Sequence, residues 1–445
     1  MKTPICDFVR SYCEAGALRT HMPGHKGSPL LGFEHLDITE FDGADSLYEA
    51  SGIIAKSEEN AGLLFGANTF YSAEGSSQCI RAMLHLAALH AKASGRKPVI
   101  AAGRNAHKVF LSAVALLDLQ VNWLYPAEED SYLSCPLTAD DLETALAGSD
   151  VTAVYVTSPD YLGNVLDIAA LAEVAHRHGC LLLVDNAHGA YLRFLEASLH
   201  PMDLGADICC DSAHKTLPAL TGAAYLHISR NAPELLAKQA KNALALFGST
   251  SPSYLILQSL DAVNGYLADG YHEKLADCVR SVRMLKDALQ AHGYVLRGSE
   301  PTKLTIDAKA YGYTGNDLAA ILAENNIFCE FHDPDFLVMM LTPETGLEGF
   351  ARLEEALLAI PKLNPIDAPP PAFHRCEKAL SIRDAILSPS TVLPVGECVG
   401  KVLACTSVGC PPAVPIVVCG ERIDQDAIKC LTYYGIETCN VILKS

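Results

Sequence analysis

The stretch DSAHKTLPALTG, residues 211 to 222, sets Lys215 directly after His214, behind an apolar run and ahead of a turn rich in Pro, Thr and Gly. A lysine is ordinarily a solvated surface residue, so this amine gains meaning only from the groups that converge on it. Three other places share its character, a polar group where an apolar run stops. In SAEGSSQCIRAMLHLAALH, Gly75, Ser76 and Ser77 open an amphipathic helix and offer backbone N–H groups and hydroxyls to a phosphate; the bland reading is an ordinary N-cap. In RNAHKVF, His107 follows a strand and a turn, where a histidine is either a structural cap or a flat ring in a site. In LLLVDNAHGAY, Asp185 ends an apolar strand and His188 follows three residues later. A carboxylate desolvated there without a partner is costly, and a cationic ring nitrogen would satisfy it.

Together these places ask for one ligand with a phosphate, a flat ring with a cationic nitrogen, and an aldehyde for the lysine. Pyridoxal 5'-phosphate has all three, because it is carried as a Schiff base on a lysine with an acid at its pyridinium nitrogen. Lys215 thereby becomes the leading catalytic candidate, with Asp185 and His107 beside it.

The elements that must position these groups form an α/β pattern. Apolar runs at KPVIAAG near 100, VTAVYVTS (151 to 158), CLLLVDNA (180 to 187), DICCDSA (207 to 213) and GAAYLHIS (222 to 229) alternate with helical segments such as LAEVAHRHG. Runs apolar on both faces belong to a mostly parallel or mixed sheet covered by helices. Ligands bind such sheets beyond the carboxyl ends of the strands. Residues 1–35 read as an irregular, turn-rich arm, 36–295 as a large domain, and 296–445 as a smaller α+β region that opens with a strand, turn, helix, strand pattern. The proline-rich NPIDAPPPAFH, 364 to 374, reads as a connection inside that last region. There is no internal repeat and no low-complexity tract.

At 445 residues, 50% hydrophobic and 19% charged, the chain can bury a large core. A net charge of −19 argues against nucleic-acid and anionic-membrane partners. No stretch reaches the roughly 18 continuous apolar residues of a membrane span, and the N-terminus lacks an apolar export core, so the expected location is cytoplasmic. Sixteen cysteines without a CxxC pair then read as reduced, mostly buried small hydrophobes. His21 and His25 of HMPGH do not make a metal pair on a helix face, because Pro23 and Gly24 break it; no metal is expected.

In order, HMPGHKG (21 to 27), EGSSQ (74 to 78), RNAHK (104 to 108), TSPDYLGNVLDI (157 to 168), VDNAHGAY (184 to 191), SAHKTLPALTGAAYLH (212 to 227) and TSPSYLILQSLD (250 to 261) resemble the Orn/Lys/Arg decarboxylases. That family has the aspartate-aminotransferase fold, fold-type I. The resemblance implies that Lys215 carries pyridoxal phosphate, Asp185 meets its ring nitrogen, His107 stacks on the ring, and His188 lies near the ring's polar edge. Ser76, Ser77, Ser212 and His214 would surround the phosphate. Thr250 and Ser251 would reach the neighbouring subunit's site, which implies a homodimer or a small multiple of dimers.

The implied reaction is decarboxylation of arginine, lysine or ornithine to the amine and carbon dioxide, in polyamine synthesis or acid resistance. His188 and Lys215 are both candidates for delivering the proton to Cα. Two departures stand out. HMPGHKG begins at residue 21, which leaves no room for the wing domain of larger members. Where the family reads Tyr-Pro-Pro-Gly-Ile-Pro and then Pro-Gly-Glu, this chain has Cys410, Ala413 and Cys419, with Gly420 and Glu421 kept. Asp42, Asp45, Glu330, Asp333 and Glu421 are acids that could meet a distal cation, or solvated loop carboxylates. The rival functions are another fold-type I enzyme, an aminotransferase or a lyase acting at Cβ, and a catalytically silent regulatory relative.

Overall fold

The computed structural model describes residues 1–125, 131–372, 375–406 and 412–443. Its first half runs α1 (Pro4–Glu14), α2 (Ile53–Phe65), β1 (Asn68–Ser72), α3 (Gly75–Ala93), β2 (Val99–Gly103), α4 (Lys108–Leu117), β3 (Gln120–Leu124), α5 (Ala139–Leu146), β4 (Ala153–Thr157), α6 (Ile168–Arg177), β5 (Leu181–Asp185), β6 (Ile208–Asp211), α7 (Ala213–Thr216) and β7 (Ala224–Ile228). Then follow α8 (Glu234–Ala245), α9 (Tyr254–Ala268) and α10 (Tyr271–His292). The strands lie in the order β1-β7-β6-β5-β4-β2-β3. β5 pairs parallel with β6 and β2 with β3, whereas β7 runs antiparallel to β6 and to β1. Every residue of β2, β5, β6 and β7 is buried, which is why these strands read as unbroken apolar runs. β3 alternates instead, as a strand at the sheet's edge does.

The chain forms two compact units, the first from Met1–Pro98, Thr152–Tyr155 and Ile168–Leu275, the second from Val99–Val151, Val156–Asp167 and Ala276–Ser445. In the first, the expected irregular arm contains a helix: α1 starts with Pro at its first turn and buries Ile5 and Val9. The backbone N–H groups of Ile5 and Cys6 both donate to Asp261 Oδ2 at 2.9 Å. That cap comes from α9, so no local signal announced it. Residues 15–52 have no helix or strand, as expected of a turn-rich arm.

The same unit encloses a polar knot. Asp211 Oδ2 accepts from Nε2 of His200 at 3.0 Å and of His227 at 3.1 Å, and Oδ1 accepts from Asn186 Nδ2 at 2.6 Å. Burial would raise this carboxyl, but the two imidazoles hold it well below the usual range. Cys209 brings a sulfur within 4.8 Å of the His200 and Asp211 ligand atoms. His200 Nδ1, however, accepts the Met202 N–H at 3.3 Å, so its Nε2 carries the proton and donates. The knot is a hydrogen-bonded one, and it ties the end of β6 to the residue after Asp185.

In the second unit, residues beyond 295 run strand, turn, strand, short helix, helix, strand, which adds a strand and a short helix to the expected strand, turn, helix, strand order. They include a four-stranded antiparallel sheet of Val295–Arg297, Lys303–Asp307, Phe336–Met340 and Phe331–His332, and a three-stranded one of Ser390–Pro394, Thr438–Ile442 and Leu403–Cys405. Residues 361–372 carry no regular structure, and the last two residues of the expected connection at 364–374 lie outside the described residues. Among the described residues no helix is long and apolar enough to cross a membrane.

Candidate active site

Lys215 sits on α7, a single turn entered through Ser212 at the end of β6. Its Nζ lies 2.8 Å from Nε2 of His188, within a shared hydrogen bond. His188 belongs to the loop that leaves β5, so the parallel pairing of Asp185 with Cys210 brings both residues to one end of the sheet. Gly189 closes that loop, and a Cβ there would fall 2.0 Å from Asn186 Oδ1.

Asp185 is 2% exposed. Its Oδ2 accepts the hydroxyl of Tyr155, on β4, at 3.0 Å; Oδ1 accepts the Ala187 N–H at 3.2 Å and the Cys210 thiol at 3.7 Å. Burial pushes the Asp185 carboxyl up, and it outweighs the hydroxyl of Tyr155 and the charge of Lys215, which pull it down. A buried acid in this condition gains most from a cation set against it.

The third component is the start of α3. Gly75 opens it with φ +73°, and no side chain caps its N-terminus. The start of a 19-residue helix is thus left without a side-chain cap, the kind of place where first-turn N–H groups can meet an anion. The Gly75 N–H itself donates to Gly222 O at 2.7 Å. Gly222 has φ +98°, and a Cβ would stand 3.2 Å from the Ala73 carbonyl oxygen, so any other residue at the end of DSAHKTLPALTG would be strained. Ser212 Oγ donates to Ser76 Oγ at 2.8 Å, and Ser77 lies half-buried on the same turn. The His214 Nδ1–H donates to Ala223 O at 2.9 Å. Thr250 and Ser251 are exposed, in the turn before α9.

His107 belongs to the second unit. It is the N-cap of α4, its Nδ1 accepting the Val109 N–H at 3.1 Å, so the capping role is real whatever else the ring does. The loop around it rests on the segment of the departures. Lys108 N–H donates to Ala413 O at 2.8 Å, and the Arg104 guanidinium donates to Pro415 O and Ile416 O at 2.8 and 2.9 Å. Ala413 takes φ +56°, a left-handed conformation that a glycine adopts without cost. Cys419 is buried, its thiol pushed up to about 12 by burial, and Cys410 lies outside the described residues.

Of the acids offered for a distal cation, Asp45 accepts backbone N–H groups from Ser46, Ser51, Gly52 and Ile54. Glu330 accepts the Tyr161 hydroxyl, Asp333 closes a turn on Asp335 and Phe336, and Glu421 accepts the Val418 N–H. Asp42 is exposed. Sequence reasoning did not single out Tyr155, Asn186, Asp211, His200 or His227. A tyrosine inside AVYVT looks like core, and the others meet only through long-range pairing.

The fold is that of the fold-type I α/β enzymes. The lysine decarboxylase A of Pseudomonas aeruginosa superposes with a TM-score of 0.80 at 17% identity, over 99% of this chain and 80% of that one. The Francisella novicida lysine decarboxylase LdcF does so with 0.78 at 16%, over 99% and 81%. The family model for the Orn/Lys/Arg decarboxylase major domain matches residues 3–305. The chain belongs to that family. Among curated relatives, the arginine decarboxylase of Bacillus subtilis (strain 168) is 28% identical over 465 residues, 96% of this chain and 92% of that protein. The arginine decarboxylase of Halalkalibacterium halodurans is 29% identical over 470 residues, 95% and 91%. This protein is accordingly an enzyme that decarboxylates a basic amino acid, and its family implies a pyridoxal-phosphate site of the fold-type I kind.

Proposed function

We propose that this chain binds pyridoxal 5'-phosphate through Lys215 and decarboxylates arginine, working in the cytosol as a homodimer or a small multiple of it. The observation that carries the cofactor is Asp185, buried at the end of β5, at the same end of the sheet as a lysine that is hydrogen-bonded to a histidine. The donor set fits the group: an amine for its aldehyde, an acid for its ring nitrogen, and an uncapped helix start with two hydroxyls for its phosphate. Arginine is favoured because relatives bearing that activity align over nearly the whole chain.

When bound, pyridoxal phosphate supplies an aldehyde that captures the substrate amine and a ring that accepts the electrons left as carbon dioxide departs. The residues do the rest. Ser76, Ser77, Ser212 and His214, together with the Gly75 turn, would hold the phosphate. Asp185 would face the ring nitrogen, where a cation favours its ionised form. His188, 2.8 Å from Lys215 Nζ, can take and return the proton that decides whether that amine is a nucleophile. Thr250 and Ser251, exposed on their own chain, are available to a second subunit. The fifteen described cysteines are all free thiols, which suits a reducing compartment.

The test is carbon dioxide release by the cofactor-loaded protein from arginine, lysine and ornithine in parallel, with the amine identified by mass and Lys215→Ala as control. Release from arginine, lost in Lys215→Ala, is the expected outcome. Release from lysine or ornithine alone would overturn the substrate; a keto acid as product would overturn the reaction.

A further inference from the structure

The run AVYVT of β4 carries two hydroxyls, those of Tyr155 and Thr157, and Tyr155 is fully buried. Leaving a buried tyrosine hydroxyl without a partner is costly. This one donates to Asp185 Oδ2 at 3.0 Å, closer than the Ala187 N–H or the Cys210 thiol approach the other oxygen, at 3.2 and 3.7 Å. The titratable groups that act on the carboxylate include Tyr155 from β4, Cys209 and Cys210 from β6, Cys79 from α3 and Lys215 from α7. Burial pushes all three thiols up and keeps them protonated. Lys215 brings a positive charge to this set and Tyr155 a hydroxyl.

We propose that Tyr155 is a positioning residue for the cofactor's ring nitrogen: its hydroxyl orients the Asp185 carboxylate and favours the ionised form, and through Asp185 it sets how firmly a protonated pyridine ring is held. The inference rests on the pyridoxal-phosphate reading above. A donor to the charged form of a buried acid is worth about tenfold in that acid's ionisation. Phenylalanine keeps the ring and its packing and removes only the donor.

Two measurements test it. The first compares cofactor binding with binding of the 1-deaza analogue, in which carbon replaces the ring nitrogen. Tyr155→Phe should weaken pyridoxal phosphate about tenfold and leave the analogue nearly unchanged. Equal weakening of both, or of neither, would overturn the proposal, because a merely structural tyrosine does not distinguish them. The second uses cofactor-free protein and reads melting temperature against pH for the parent, Tyr155→Phe, Asp185→Asn and the double variant. Tyr155→Phe should extend the loss of stability to higher pH than in the parent, and Asp185→Asn should abolish that extension. A pH-independent shift would overturn the coupling. If the parent fails to bind pyridoxal phosphate, the active-site reading falls, while the melting series still decides whether Tyr155 governs Asp185.

Discussion

Asp185 shows how a residue can be set against its own fold. Its carboxyl binds a proton more tightly in the folded cofactor-free chain than in the unfolded one, so its contribution to stability is present below about pH 4 and lost as pH rises through the folded value. Cofactor-free Asp185→Asn should therefore melt higher than the parent at neutral pH, with the gap closing towards pH 4. The same variant, loaded, should lose about two orders of magnitude or more in turnover, because a ring nitrogen without its acid is a poorer electron sink. A melting advantage that persists at low pH would sink the assignment. Lys215, Asp185 and His188 were visible in the sequence for a physical reason: each is polar where a doubly buried strand has to stop. Tyr155 was not, since its ring obeys the apolar pattern and only its last atom does not.

Strands and helices with long, pure patterns were equally legible. The five apolar runs named above became β2, β4, β5, β6 and β7, because burial on both faces leaves little room for other residue types. α1 escaped, since a helix of 11 residues is marginal alone and is completed by the carboxylate of Asp261. The antiparallel setting of β7 also left no local mark. At this scale the segment after residue 411 carries a cost that the sequence makes understandable. Ala413 occupies a left-handed conformation while its carbonyl receives the first N–H of α4, which accounts for glycine at this place in the family's pattern. Ala413→Gly should stabilise the protein by a net of about 0.5 to 1 kcal/mol, read from denaturant midpoints. A loss of stability would mean that the alanine methyl, fully buried here, contributes more by packing than it costs by strain.

Over the whole chain, the arm leaves Leu18, Met22, Leu30 and Leu31 more than half exposed, and Thr250 and Ser251 are open as well. A second copy is the simplest cover for apolar side chains of that size. Light scattering should give a mass of about twice 47.6 kDa, or a multiple of it. Leu30→Glu combined with Leu31→Glu should shift the population to monomer and lower turnover with it; a fully active monomer would overturn the shared site. One further bond reaches across the sequence. The N–H of Gly75 closes on the carbonyl of Gly222, so the turn that opens α3 and the turn that follows Lys215 are tied by one backbone bond. In mutational terms EGSSQ and HKTLPALTG are coupled: a change that shifts either turn is passed to the other through that bond.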